Sequence, residues 1–164
     1  MTGRFILTLV DMMRLRSGPQ DLPAGWPLAA AISLAYIGQG FFADQVLGEA
    51  DGAPRSLLAI AVQFSVVALL LGLRNFQSRL PQTLFALAGT GFIFGLLSIL
   101  ILTRIDPGKS QPDLALLYLG LFAWSLVVDA HIYRHALSIR IGIGALLAVL
   151  IFAANFMLLR AVFG

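Results

Sequence analysis

Cysteine is absent from the chain, which excludes disulfides, thiol redox chemistry and cysteine-ligated metal and leaves the compartment open. Charge is nearly as scarce. The four charged residue types make up 12% of the 164 residues, where a soluble domain carries about 25%. The basic residues are arginines, with Lys109 the exception. No low-complexity linker divides the chain, and no polar stretch leaves room for a soluble domain. Enzyme signatures are missing too: there is no G-x-S-x-G elbow, no phosphate loop and no H-E-x-x-H. The glycines between Arg140 and Ala145 follow no strand, so a dinucleotide fingerprint fails. No cofactor is expected.

What the chain has is hydrophobicity: 59% of residues are apolar and the mean hydropathy is +0.91. Both point to a polytopic membrane protein. The net charge of +3 and pI near 10.0 do not indicate nucleic acid. The arginines stand singly at the ends of apolar runs, where they report topology instead.

A spanning helix needs about 20 mostly apolar residues. Five runs qualify, at about 26–47, 56–73, 81–103, 113–133 and 141–162. Short breaks with turn chemistry separate them: "GEADGAPR", "RNFQSRLP", "RIDPGKSQPD" and "RHALSIR". Pro27, Pro54, Pro81 and Pro112 lie near run starts, where a missing N–H costs nothing, and Asp113 suits a helix N-terminus. The runs are apolar all round, unlike the alternating strands of a barrel. The expected fold is all-α: residues 26–164 form a five-helix transmembrane bundle. The last break is so short that a tight hairpin and one long bent helix both remain open.

Placing the N-terminus in the cytoplasm puts Arg4, Arg14, Arg16, Arg74, Arg79, Arg134 and Arg140 inside, and Arg55, Arg104, Lys109 and Arg160 outside with Glu49, Asp51 and Asp106. The positive-inside tendency therefore favours N-in, C-out in a cell membrane, the inner membrane if the host is bacterial. The lipid bilayer is the first expected partner, and nucleic acid is not one.

Residues 1–25 read as a cytoplasmic amphipathic segment, not a secretory signal, because Asp11 breaks a short apolar core and no small-x-small site follows. A helix from Gly3 to Arg16 would carry a polar stripe of Arg4, Thr8, Asp11 and Arg14. It is too short to span. It lies either in the headgroup interface, with Arg14 and Arg16 near anionic lipid, or against the bundle.

The stretch "SLVVDAHIYRHALSIR" breaks the apolar pattern of the fourth run. On a helix, Tyr118, Phe122, Ser125, Asp129 and Tyr133 share one face, and His131 and His135 share another. The histidine pair has chelating spacing, but no glutamate follows the first His and Asp129 lies on the far face, so two interfacial rings beside Arg134 are the simpler expectation. An ionised acid costs about 2.5–3.5 kcal/mol at a helix centre. Asp129 should therefore find a cation, Arg74 or Arg140, or a hydroxyl of Ser125 or Tyr133. Such a group is either a structural ion pair or a proton or ligand site.

Toward the outer end of the first run stand Gln39, Asp44 and Gln45, with Arg160, Arg104 or Arg55 as partners for Asp44. Gln63, Ser65, Thr90, Ser98 and Asn155 are lone polar groups suited to inter-helix hydrogen bonds. Gly91 and Gly95, with Gly89 beside them, and Gly144 and Ala148 have small-xxx-small spacing, which lets helix backbones approach closely.

Five spans behind the lead-in "LVDMMRLRSGPQDLP" resemble the Yip1 family of small polytopic membrane proteins and bacterial membrane proteins in that broad group. The resemblance covers the chain as a hydropathy layout. The motifs that eukaryotic members carry in their first helices are absent, so it implies no trafficking or GTPase-partner role and transfers no residue. Three functions are expected in order: a non-enzymatic accessory or assembly protein docked on a membrane-protein partner or on copies of itself; a small transporter or proton-linked carrier using Asp129 and Asp44; and an interfacial lipid-modifying enzyme around His131 and Arg134. A cleft reaching Asp129 would favour the carrier, and an Asp129–arginine pair in a dry bundle the accessory role.

Overall fold

The computed structural model describes residues 3–48, 52–106 and 108–164. Six α-helices follow one another: α1 (Gly3–Met13), α2 (Trp26–Leu47), α3 (Gly52–Leu73), α4 (Leu80–Leu102), α5 (Pro112–Leu137) and α6 (Ile141–Phe163). The last five are long and apolar enough to cross a membrane. The protein is an all-helical membrane bundle, and no strand occurs among the described residues. Its solvent is lipid, which leaves the backbone no partner but itself.

Local chemistry sets the boundaries. Pro27, Pro81 and Pro112 sit in the first turns of α2, α4 and α5. Gly48 ends α2 in the left-handed region at φ 73°. Two boundaries of the spans differ from expectation by a full turn. α3 begins at Gly52, so Pro54 and Arg55 belong to its first turn. α5 runs past Tyr133 to Leu137, because "RHAL" continues the helix until Ser138 turns left-handed at φ 53°. A break of three residues then starts α6, so the last two spans are a hairpin.

α4 is the hub. In its most apolar window 39% of residues are buried, against 11% in α2. It packs on α2, α5 and α1. Its glycines make room for large neighbours: a Cβ on Gly91 would lie 2.8 Å from the Tyr36 ring, one on Gly95 2.7 Å from the Gln39 amide, and one on Gly89 2.7 Å from Leu9. The glycine stripe is thus filled from within the chain. In the α5–α6 hairpin the approach is backbone to backbone, since a Cβ on Gly144 would stand 2.5 Å from the Ala130 carbonyl oxygen.

Helix α1 packs on the bundle. Leu9 and Met12 are buried, and the Phe5 ring meets Phe85 edge-on at 6.0 Å. Its contacts climb along α4, from Phe85 at Phe5 to Gly89 at Leu9. At its end the Trp124 indole N–H donates to the Met13 carbonyl at 3.1 Å. The chain then doubles back: Ser17 lies against His131, the Gln82 amide meets the Leu22 carbonyl at 2.7 Å, and Pro19 and Gln20 face Arg79 and His135 across a crevice. α1 is a half-length helix reaching the middle of α4 and α5, with Ile6 and Leu7 exposed on its outer side. It ends at Met13, three residues short of expectation, where Leu15 adopts φ 61°. The side chain of Arg4, and Glu49 and Asp51, lie outside the described residues.

Candidate functional site

Asp129 stands on α5 eight residues before Leu137, about 12 Å from the helix end. The extra turn of α5 places it deeper than the sequence boundary implied. The expected cations do not meet it. Arg74 donates to the Leu137 carbonyl at 3.2 Å, and Arg140 is exposed at the start of α6. Ser125 donates to the Phe122 carbonyl at 2.7 Å instead of to the acid. The neighbour of Asp129 comes from α3. Gln63 directs its amide nitrogen to the Tyr133 hydroxyl at 3.0 Å and, at the limit of hydrogen bonding, to Asp129 Oδ2 at 3.5 Å. Gln63 was expected as a lone amide; its place opposite Asp129 depends on how α3 rotates against α5.

Cavities meet at this carboxylate. One of about 220 Å³ is lined by the polar side chains of Tyr36, Gln63, Ser98, Ser125 and Asp129 together with Leu87, Phe94, Gly91 and Gly95. A second of about 140 Å³, on the α6 side, shares Gln63, Ser125 and Asp129 and adds Tyr133 and Asn155. Asn155 Oδ1 is buried and has no hydrogen-bond partner among the described residues. A third, about 260 Å³, shares Tyr36, Gly95 and Ser98 with the first and extends to Leu47 and Leu102 at the helix ends. Through shared lining residues the three hollows follow one another from that end of the bundle to Asp129. Of the expected stripe on α5, Phe122, Ser125, Asp129 and Tyr133 line these hollows, and Tyr118 is exposed.

Gln39 is buried 13 residues into α2, not at its outer end, and donates to the Phe92 carbonyl at 2.8 Å. Asp44 forms no ion pair with Arg160, Arg104 or Arg55 among the described residues. It lies against Gly52 at the start of α3, where the helix dipole favours an acid. Arg55 instead reaches the last carbonyl of α6, with Nη2 3.4 Å from Phe163 O and the guanidinium over the Phe163 ring. Arg160 is exposed.

Three arginines share one task. Arg55, Arg74 and Arg79 all cap the C-terminal carbonyls of helices, groups that the helix itself leaves unpaired. Arg79, which the sequence marked only as a topology residue, donates to the Ala136 carbonyl at 3.1 Å and the Ser138 hydroxyl at 2.8 Å. The ion pair found among the described residues, Lys109–Asp106 at 3.1 Å, lies in the α4–α5 loop. There the Gly108 N–H, and then Lys109, hold the Asp106 carboxyl below its ordinary range.

His131 and His135 form a separate feature. Their rings stand edge-on at 4.5 Å, and His131 Nε2 lies 2.9 Å from the Ser17 carbonyl, so the ring carries its proton on that nitrogen to donate there. Arg134 is exposed beside them. No group of three metal-ligating side chains occurs among the described residues.

No family model, curated protein or solved structure matches the chain.

Proposed function

We propose that the protein is a small proton-linked membrane carrier in which Asp129 is the proton-exchanging group, embedded in a cell membrane with its N-terminus in the cytoplasm. One observation carries the reading: among the described residues the Asp129 carboxylate has no cation partner, and it lines two cavities whose polar groups are amides and hydroxyls. An acid deep in a membrane protein without a counter-ion is costly as a packing device and suits a group that gains and loses a charge. The hollow that shares Tyr36, Gly95 and Ser98 with the Asp129 cavity and extends toward Leu47 and Leu102 is where water or a small solute would approach the acid. An Asp129–arginine pair would have favoured the accessory role, and Arg74 and Arg140 are engaged or placed elsewhere. The likeness to the Yip1 family stays a likeness of layout and contributes no role.

The test is proton uptake into vesicles holding the purified protein, driven by a potassium diffusion potential and read with an internal pH dye, together with infrared titration of the carboxyl stretch. Flux above that of empty vesicles, and a titrating carboxyl band, are both expected to vanish in Asp129→Asn. A flux equal to empty vesicles with no band lost in the variant would leave Asp129 a structural residue and the accessory role ahead.

A further inference from the structure

At the end of the bundle where α5 finishes and α4 begins, a crevice of about 310 Å³ opens between the returning N-terminal segment and the α5–α6 turn. Pro19, Gln20, Arg79, Gln82, His135 and Ser138 line it. It lies apart from the Asp129 cavities, with which it shares no lining residue. We propose that this crevice seats the phosphate of a phosphodiester, with an anionic phospholipid headgroup as its source.

Arg79 carries the inference. Its Nη1 is spent on the Ala136 carbonyl and the Ser138 hydroxyl, and its face stacks on Phe76 at 4.2 Å. Those contacts fix the guanidinium plane. Nη2 and Nε make no hydrogen bond to the described protein, so a pair of parallel N–H donors on a rigid fork stays free, the arrangement that suits phosphate. The half-buried His135 ring and the Gln20 amide extend the same wall. The local field is positive, since Arg74, Arg134 and Arg140 are exposed at this end. The neighbouring carboxylate, Asp21, is turned back to accept the Gly18 N–H at 2.8 Å. Helix ends lie at headgroup depth, and basic crevices between spans are where anionic headgroups lodge. The occupant would rest on the N-terminal turn, α4 and α5 together, and so tie the half-length α1 to the bundle.

Gln20→Glu is the cleanest variant. The Gln20 side chain makes no hydrogen bond among the described residues, and Gln82 holds only its backbone carbonyl, so the change adds a negative charge to the crevice without removing a support. The assay is thermal stabilisation of detergent-purified protein by short-chain phosphatidylglycerol, phosphatidylcholine or inorganic phosphate. Phosphatidylglycerol should raise the Tm of the wild type. Gln20→Glu should weaken that response at least tenfold in apparent affinity, while Gln45→Glu at the opposite end leaves it unchanged. Arg79→Gln should abolish the response and also lower the starting Tm, because it uncaps α5. Stabilisation by phosphatidylglycerol over inorganic phosphate assigns the phosphate to lipid. Inorganic phosphate acting equally well, and equally sensitive to Gln20→Glu, keeps the seat but overturns its lipid source. Equal stabilisation by phosphatidylcholine and phosphatidylglycerol, or a Gln20→Glu response like that of the wild type, overturns the proposal.

Discussion

On one face of α5, His131 is 5% exposed and its ring nitrogen lies 2.9 Å from a backbone carbonyl of the N-terminal segment. Two residues earlier, Asp129 faces the other way, toward a glutamine amide at 3.5 Å and two cavities. Both are ionisable side chains on one membrane helix. The histidine is answered by backbone and sealed by packing, as a structural polar group is. The acid is answered by a glutamine amide at the limit of hydrogen bonding and by open volume. The contrast separates polar residues that hold a membrane bundle together from those left available for chemistry, and it does so by what meets them, not by their residue type. Breaking each face in turn should give opposite results for stability and function.

The largest loss of stability should come from the line between the two faces. Ala130 lies between Asp129 and His131, and its carbonyl oxygen would be 2.5 Å from any Cβ placed on Gly144. Gly144→Val must push α6 away from α5, at or above the upper end of the about 1–3 kcal/mol typical of overpacking. It also separates Asn155 from Asp129 across their shared cavity. A sharp fall of Tm in detergent, with loss of the titrating carboxyl band, is the expected pair of results. Normal stability would mean that the α5–α6 seam is looser than the contact implies.

Next comes the histidine face. His131→Leu keeps an apolar body of similar bulk but strips the Ser17 carbonyl of its donor, leaving a polar group unpaired at a cost of about 1–3 kcal/mol. The N-terminal segment should loosen with it, seen as faster trypsin cleavage at Arg14 and Arg16. Proton flux through Asp129 should persist in whatever fraction stays folded. A smaller loss, about 0.5–1.5 kcal/mol, is expected from Trp124→Phe, which deletes the single indole bond to the Met13 carbonyl. Flux lost in either variant at unchanged Tm would join the two faces and erase the distinction.

The five spans were legible because lipid reduces the problem to counting apolar residues, and short breaks with proline fixed their starts. The opposed faces of α5 were legible for the same reason, since helical periodicity alone separates Asp129 from His131. Partners were not. Charge pairing predicts arginine for Asp129 and Asp44, yet Arg55, Arg74 and Arg79 go to helix C-terminal carbonyls, groups that appear in no sequence pattern. Gln63 could not be placed opposite Asp129, because an evenly apolar helix such as α3 gives no clue to its rotation. The depth of α1 was hidden as well: its amphipathic pattern fits a headgroup interface and a groove between α4 and α5 equally, and Gly89 decided between them by admitting Leu9.

The smallest loss of stability should come from the residue with the largest role. Asp129→Asn keeps the side-chain volume and still offers Gln63 an oxygen to meet. It removes a charge that no cation balances. Stability should not fall: losing an acid that no cation balances holds it or raises it, by no more than the about 2.5–3.5 kcal/mol that an ionised acid costs at a helix centre. An unchanged or raised Tm combined with lost proton flux would set Asp129 apart from every packing residue on α5. A fall of several kcal/mol would instead mean that the carboxylate anchors Gln63 and Tyr133 across the α3–α5 contact. The two faces of α5 would then differ in partner and not in kind.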